Sequence, residues 1–199
     1  YSIANQWAED TGLNNSETVG DVPDKAFRAG NLSTNLDTLK AVGLFGIPFD
    51  SSYNLNYVQS NCRIETGSFL NHPTRIGSTW EFPVTCFNWP FHRLGSRFRH
   101  LQITAAGMAE TLDVLNHAQK LRYQFVTILL HSFEFITRDQ AIFPDMKNIQ
   151  RFENLCRTLQ RHSDSIQTTG FSALEAIDLE KWAVDGPIPI PTVRLSSWI

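Results

Sequence analysis

Four residues bear the chemistry this sequence can offer: Arg28, Asp50, Glu81 and His131. Each lies in, or just past, a stretch that reads as a β-strand. In a parallel α/β sheet the carboxyl ends of the strands collect on one face, so residues distant in sequence converge there. An Arg, two carboxylates and a His make an acid–base set. The Arg can hold a carboxylate bidentately and lower its pKa. Spacing alone leaves a second reading open, in which these are four ordinary polar groups at strand ends. His72, His92, His100, His117, His131 and His162 form no i, i+2 or i, i+4 pair. No GxGxxG, P-loop, HExxH or GxSxG motif occurs. A metal site made by this chain alone would need ligands from distant loops. His117, within a helix, and His162, near a helix end, are expected to face solvent.

The elements that must position these residues follow from the hydrophobic pattern. The centre is the run from Phe125 to Phe135, FVTILLHSFEF. Its apolar, β-branched residues 125–130 read as a strand buried on both faces, stopping at His131-Ser132. Further strands are predicted at 25–28, 47–50, 79–85 and 166–169. Pro83 places the third of these at an edge or a strand end. Residues 2–11 suit a short helix. Thr34-x-x-Asp37 resembles a capping box opening a helix that ends near Gly43 or Gly46. Met108, Leu112 and Leu115, extended by Leu121, mark a helix face, as do Ile149, Phe152, Leu155, Cys156 and Leu159. Ser172-x-x-Glu175 opens a last helix reaching about Trp182. Residues 54–78 and 87–104 read as irregular. This alternation implies a parallel sheet with right-handed crossovers. Residues 1–182 form one unit, and the Pro-rich tail 183–199 is extended.

Composition narrows the class. The chain has 199 residues, 42% hydrophobic and 19% charged, with a net charge of −3. That is ordinary for a soluble globular domain and implies no affinity for nucleic acid. The densest basic group, Arg93, Arg97, Arg99 and His100, reads as a solvated loop rather than a binding patch. No apolar run is long enough for a transmembrane segment. The N-terminus has neither a start Met nor a signal-peptide pattern, so the chain reads as cut or processed. Cys62, Cys86 and Cys156 form no CxxC pair, which excludes a zinc ribbon and argues against a disulfide framework. Cytoplasm and periplasm both remain open. Aromatic residues, at 12%, recur near strand ends, which suits a carbohydrate-facing cleft and equally a core.

At these same residues the chain resembles the polysaccharide deacetylase family of carbohydrate esterases. Phe27-Arg-Ala-Gly-Asn31 followed by Phe49-Asp-Ser-Ser-Tyr53 is similar to that family's FRA and YDSS segments. Trp80-Glu-Phe-Pro-Val-Thr85 is similar to its WEFP strand. Leu129-Leu-His-Ser-Phe-Glu134 is similar to its late LxH strand, with Ser where Pro is usual. Arg151-Phe-Glu-Asn-Leu-Cys and Thr168-Thr-Gly-Phe resemble its closing helix and strand. The similarity runs from about Ala26 to Leu174.

The resemblance implies a parallel-strand (β/α) barrel and hydrolysis of acetyl groups from a polysaccharide or amino sugar, assisted by a divalent metal, commonly zinc. His131 then matches the His that protonates the leaving group, and Arg28 the Arg that orients the base. Asn31, Asp50, Trp80, Glu81 and Trp89 become the substrate-binding candidates. The family's early strand, with its base and metal-binding Asp residues, and its HxxxH pair have no counterpart here. The chain is thus expected to be the C-terminal half of the barrel. Its partners would be an acetylated polysaccharide or oligosaccharide and the missing N-terminal half, which would supply the metal ligands. The alternative is a non-catalytic carbohydrate-binding or structural relative without the metal site.

Overall fold

The computed structural model describes residues 26–58, 60–90, 97–137, 143–174, 177–183 and 188–193. The expected helix at 2–11, Lys25, His92, Arg93, Glu175 and Pro187 lie outside them.

The first strand, β1 (Ala26–Phe27), is followed by a tight turn at Gly30–Leu32, a second strand β2 (Thr34–Asn35) and helix α1 (Leu36–Leu44). The chain then returns as β3 (Phe49–Asp50). After β4 (Cys62–Arg63) come β5 (Thr74–Ile76) and β6 (Thr79–Glu81). The main sheet has the order β1-β3-β6-β5. Its first three strands are parallel, with Phe27 beside Asp50 and Asp50 beside Glu81. This register places Asp50 next to Glu81 at the carboxyl ends, with Arg28 one residue beyond β1. The architecture is mixed α/β with parallel strands, and no closed barrel is formed among the described residues.

Helix α1 begins one residue later than the sequence pattern implies. Thr34 is taken into β2, opposite Cys62, so its side chain is buried and does not cap. Asn35 caps instead, its Oδ1 accepting the Thr38 N–H at 2.9 Å. Asp37 pairs with Lys40 on the exposed face. Gly46, at φ +67°, ends the helix in the left-handed region that favours glycine.

The segment expected to be irregular at 54–78 holds a 3-10 turn (Leu55–Tyr57), β4 and β5. Strands β5 and β6 are joined by the two-residue turn Gly77-Ser78, with Gly77 at φ +65°. Glycine first in such a turn matches the twist of a hairpin. The expected irregular stretch at 87–104 also contains a hairpin, of β7 (Cys86–Asn88) and β8 (Phe98–His100). Strand β6 stops before Pro83, which has no N–H to give the ladder.

The segment 125–130 departs most from expectation. It is not a strand buried on both faces. It makes one parallel bridge, Gln102 to Leu129. Only Leu129 is buried; its neighbours are half-buried. The Thr85 N–H donates to the Thr127 carbonyl at 3.1 Å, but the Thr127 N–H bonds to the Thr85 hydroxyl at 2.9 Å. A side chain thus replaces a ladder bond and interrupts the pairing. The expected strand at 166–169 is also absent. A cavity of about 240 Å3 lies between 125–128 and 165–169, so the two segments do not pair.

Helices α2 (Met108–Lys120) and α3 (Met146–Arg161) lie where the apolar periodicity puts them and pack through Leu115, Leu155 and Ile103. The last helix is shorter than expected. Among the described residues it covers α4 (Phe171–Leu174), with Ser172 inside it rather than capping, and Leu179–Trp182 is a separate 3-10 turn. His117 is not simply solvent-facing. It is half-buried, and its Nδ1 accepts the Thr192 N–H at 3.0 Å, which ties residues 192–193 alongside β7. His162, at the end of α3, is exposed.

Buried Asn71 shows how side chains complete this short-stranded fold. Its Oδ1 accepts the Cys86 N–H at 2.7 Å, and its Nδ2 donates to the Cys86 carbonyl and the Tyr123 hydroxyl, each at 2.9 Å. Asn71→Ala leaves those backbone groups unpaired inside the protein. It is expected to destabilise the fold by about 2–4 kcal/mol, read by urea denaturation.

Candidate functional site

The sequence candidates fall into two polar groups. The first follows from the Phe49-Asp-Ser-Ser-Tyr53 segment as it leaves β3. Asp50 is fully buried; its Oδ1 accepts the Ser52 N–H and its Oδ2 the Ser52 hydroxyl, both at 2.9 Å. The Ser52 hydroxyl oxygen accepts the Ala29 N–H at 2.8 Å. Arg28 donates through Nε to the Ser51 carbonyl at 2.8 Å and through Nη2 to the Ser51 hydroxyl at 2.7 Å. That hydroxyl donates to the Phe82 carbonyl at 2.7 Å. The loop therefore locks the ends of three parallel strands together.

Glu81, also fully buried, accepts the Tyr53 N–H through Oε1 at 2.9 Å. Its Oε2 meets no protein donor. Burial, then a side-chain hydrogen bond with Asp50 and the charge of Asp50, push its pKa well above the carboxylate range, against the pull of the Tyr53 N–H. A protonated Glu81 carboxyl would be able to donate to Asp50, where two carboxylates would repel. Arg28 lies within electrostatic reach of both, but its bonds go to Ser51 rather than to either carboxyl.

The second group surrounds His131, whose ring is half-exposed and stacks on Phe133 with centroids 4.8 Å apart. His131 Nδ1 meets Glu134 Oε1 at 3.2 Å, and the His131 N–H donates to Glu134 Oε2 at 3.2 Å. Glu134 is buried. Its Oε1 also accepts from Gln102 Nε2 and, at 3.1 Å, from the Thr104 hydroxyl. Gln102 Oε1 in turn lies 2.6 Å from Nε2 of buried His100, and His100 Nδ1 lies 3.4 Å from Asn56 Nδ2. Burial pushes the His100 pKa down, and the bond to Gln102 opposes this. Leu32, four residues past Arg28, packs with Val84 and with Leu129, two residues before His131, which links the loops bearing the two groups.

The remaining candidates are more scattered. Asn31 is exposed and left-handed at φ 58°, a region Asn tolerates. Leu32 follows at φ 55°, strained for a branched residue and held by its burial. Trp80 is buried among Phe49, Phe82, Leu174 and Leu179. Trp89 is half-buried, with the Arg99 guanidinium 4.7 Å from its ring centroid. Arg99 also pairs with buried Glu110 at 2.7 Å. The Arg99–His100 end of the basic group is therefore packed, not a solvated loop.

Glu134, Gln102, Thr104 and Asn56 are not among the sequence candidates, and His100, expected in a solvated loop, is buried. His131-x-x-Glu134 has capping-box spacing, which would have singled out Glu134. Nothing local marks the other three. Among the described residues, no three His, Cys, Asp or Glu side chains converge as metal ligands. These residues do not fit a metal centre by themselves. Among the described residues no helix is long and apolar enough to cross a membrane. No protein-family model, curated protein or solved structure matches this chain.

Proposed function

We propose that the chain is the proton-donating, C-terminal part of a metal-dependent carbohydrate deacetylase barrel. Hydrolysis of an acetyl group needs a general acid to protonate the departing amine or hydroxyl. The observation that carries the proposal is His131, half-exposed, with Nδ1 engaged by a buried carboxylate and Nε2 left as the other proton site. A ring held on one side and reachable on the other suits transfer to a bound sugar. Arg28 supports the same reading. Two of its donors are tied to Ser51, which leaves others for a carboxylate base, and the residue lines a cavity of about 360 Å3. The base and the metal ligands belong, on this proposal, to an N-terminal half that completes the barrel. Asp50 and Glu81 act by holding the strand ends, and the exposed Asn31 is the substrate-binding candidate nearest Arg28 in sequence.

The test is acetate release from acetylated oligosaccharides by the complete gene product. Release is expected with zinc present and is expected to stop when a chelator removes it. A complete, folded protein that binds the oligosaccharide but releases no acetate under any divalent metal would overturn the proposal in favour of a carbohydrate-binding relative.

A further inference from the structure

We infer that Glu134 is a positioning residue that fixes the tautomer and orientation of His131, and that Gln102 and His100 fix Glu134. The inference rests on His131 as proton donor. An ionised carboxylate offers lone pairs only, so every polar atom facing it must donate. Glu134 Oε1 meets Gln102 Nε2, Thr104 Oγ1 and His131 Nδ1, and Oε2 meets the His131 N–H. Gln102 must therefore turn its amide N–H to Glu134 and its Oε1 towards His100. At 2.6 Å from that oxygen, His100 Nε2 carries a hydrogen. His100 Nδ1 is then the acceptor for Asn56 Nδ2. The lowered pKa of His100 agrees with a neutral ring of that tautomer.

The array has one direction. Asn56 donates to His100, His100 to Gln102, and Gln102 to Glu134. His131 donates to Glu134 from the opposite side. Its Nδ1 is thereby committed as the N–H, and Nε2 is the atom that gives or takes a proton. Neutral imidazole in water prefers the reverse arrangement, with the hydrogen on Nε2. Phe133, stacked at 23° to the ring, holds its plane. A partner that selects tautomer and orientation is what a general acid or base requires of its neighbour. Capping the turn at Ser132–Phe135 through Oε2 is a separate, structural contribution of the same side chain.

The experiment is long-range 1H–15N spectroscopy on the complete gene product labelled with 15N-histidine. His131 is assigned by the signals lost in His131→Ala. The neutral His131 ring is expected as the Nδ1–H tautomer. In Glu134→Ala, which removes the acceptor facing Nδ1, the Nε2–H form that imidazole prefers in water is expected to dominate, with kcat reduced about 10–10²-fold and KM little changed. A dominant Nε2–H tautomer in the unsubstituted protein overturns the inference even if no Glu134 variant folds. An unchanged tautomer in a folded Glu134→Ala protein also overturns it. If instead the tautomer reverses as expected while His131→Ala keeps full kcat, the positioning stands and the proton-donor reading fails.

Discussion

His131→Ala in the complete enzyme is expected to lower kcat for deacetylation by about 10²–10⁴-fold, the usual contribution of a general acid–base group. KM is expected to change little, because proton transfer develops in the transition state and not in the bound ground state. Stability should be nearly unaffected. The ring is half-exposed, and Glu134 keeps the Gln102 and Thr104 donors and the backbone N–H of residue 131 when it is removed. A change of less than about 1 kcal/mol is usual for such a site. Measuring the melting transition beside kcat separates chemistry from folding. A folded His131→Ala protein with unchanged kcat removes the catalytic assignment. A protein that loses activity only in proportion to its unfolded fraction removes it as well.

The parts of the fold that were legible in the sequence are those decided locally. The turn from Phe49-Asp50 into Ser51-Ser52 reads as a strand ending in polar groups because those groups bond to each other and to the next strand end. Helices α2 and α3 follow the apolar period because one face of each meets the other. The hairpin at Gly77-Ser78 was also legible, since glycine followed by serine between short strands is a turn pattern. It was lost inside a stretch whose strands are three residues long.

Other features depend on neighbours distant in sequence. The apolar run 125–130 has the composition of a strand buried on both faces, but burial needs a second surface. One flank opens into the cavity before 165–169, and the Thr85 hydroxyl interrupts the ladder on the other. The polar array behind His131 draws on residues 56, 100, 102, 104 and 134 from separate loops. Only the i, i+3 pairing of His131 with Glu134 leaves a trace in the sequence. Asp50 and Glu81 were legible as a pair of carboxylates at strand ends. Their complete burial was not, because it depends on how elements distant in sequence pack around the strand ends.

Glu81→Gln is expected to abolish a loss of stability that the unsubstituted protein shows as pH rises above about 4.5. The sign follows from proton counting. Burial raises the folded-state pKa of Glu81 above its unfolded value of 4.5, so the folded protein binds the extra proton between the two. Stability from this group is complete below the unfolded pKa and is lost as pH climbs through the folded one. Each pH unit inside that window costs about 1.4 kcal/mol. Gln cannot ionise, keeps an oxygen for the Tyr53 N–H and offers Asp50 an N–H where Glu81 offers its acid proton. The variant is therefore expected to match the parent near pH 4.5 and to exceed it increasingly towards neutrality, as read by urea denaturation across pH 4.5–8. Glu81→Ala, by contrast, leaves a cavity and an unpaired Tyr53 N–H in the core. It is expected to cost about 3 kcal/mol or more at pH 4.5. A Glu81→Gln protein destabilised equally at every pH would show that Glu81 is ionised in the folded state and that Arg28, not a shared proton, balances the pair.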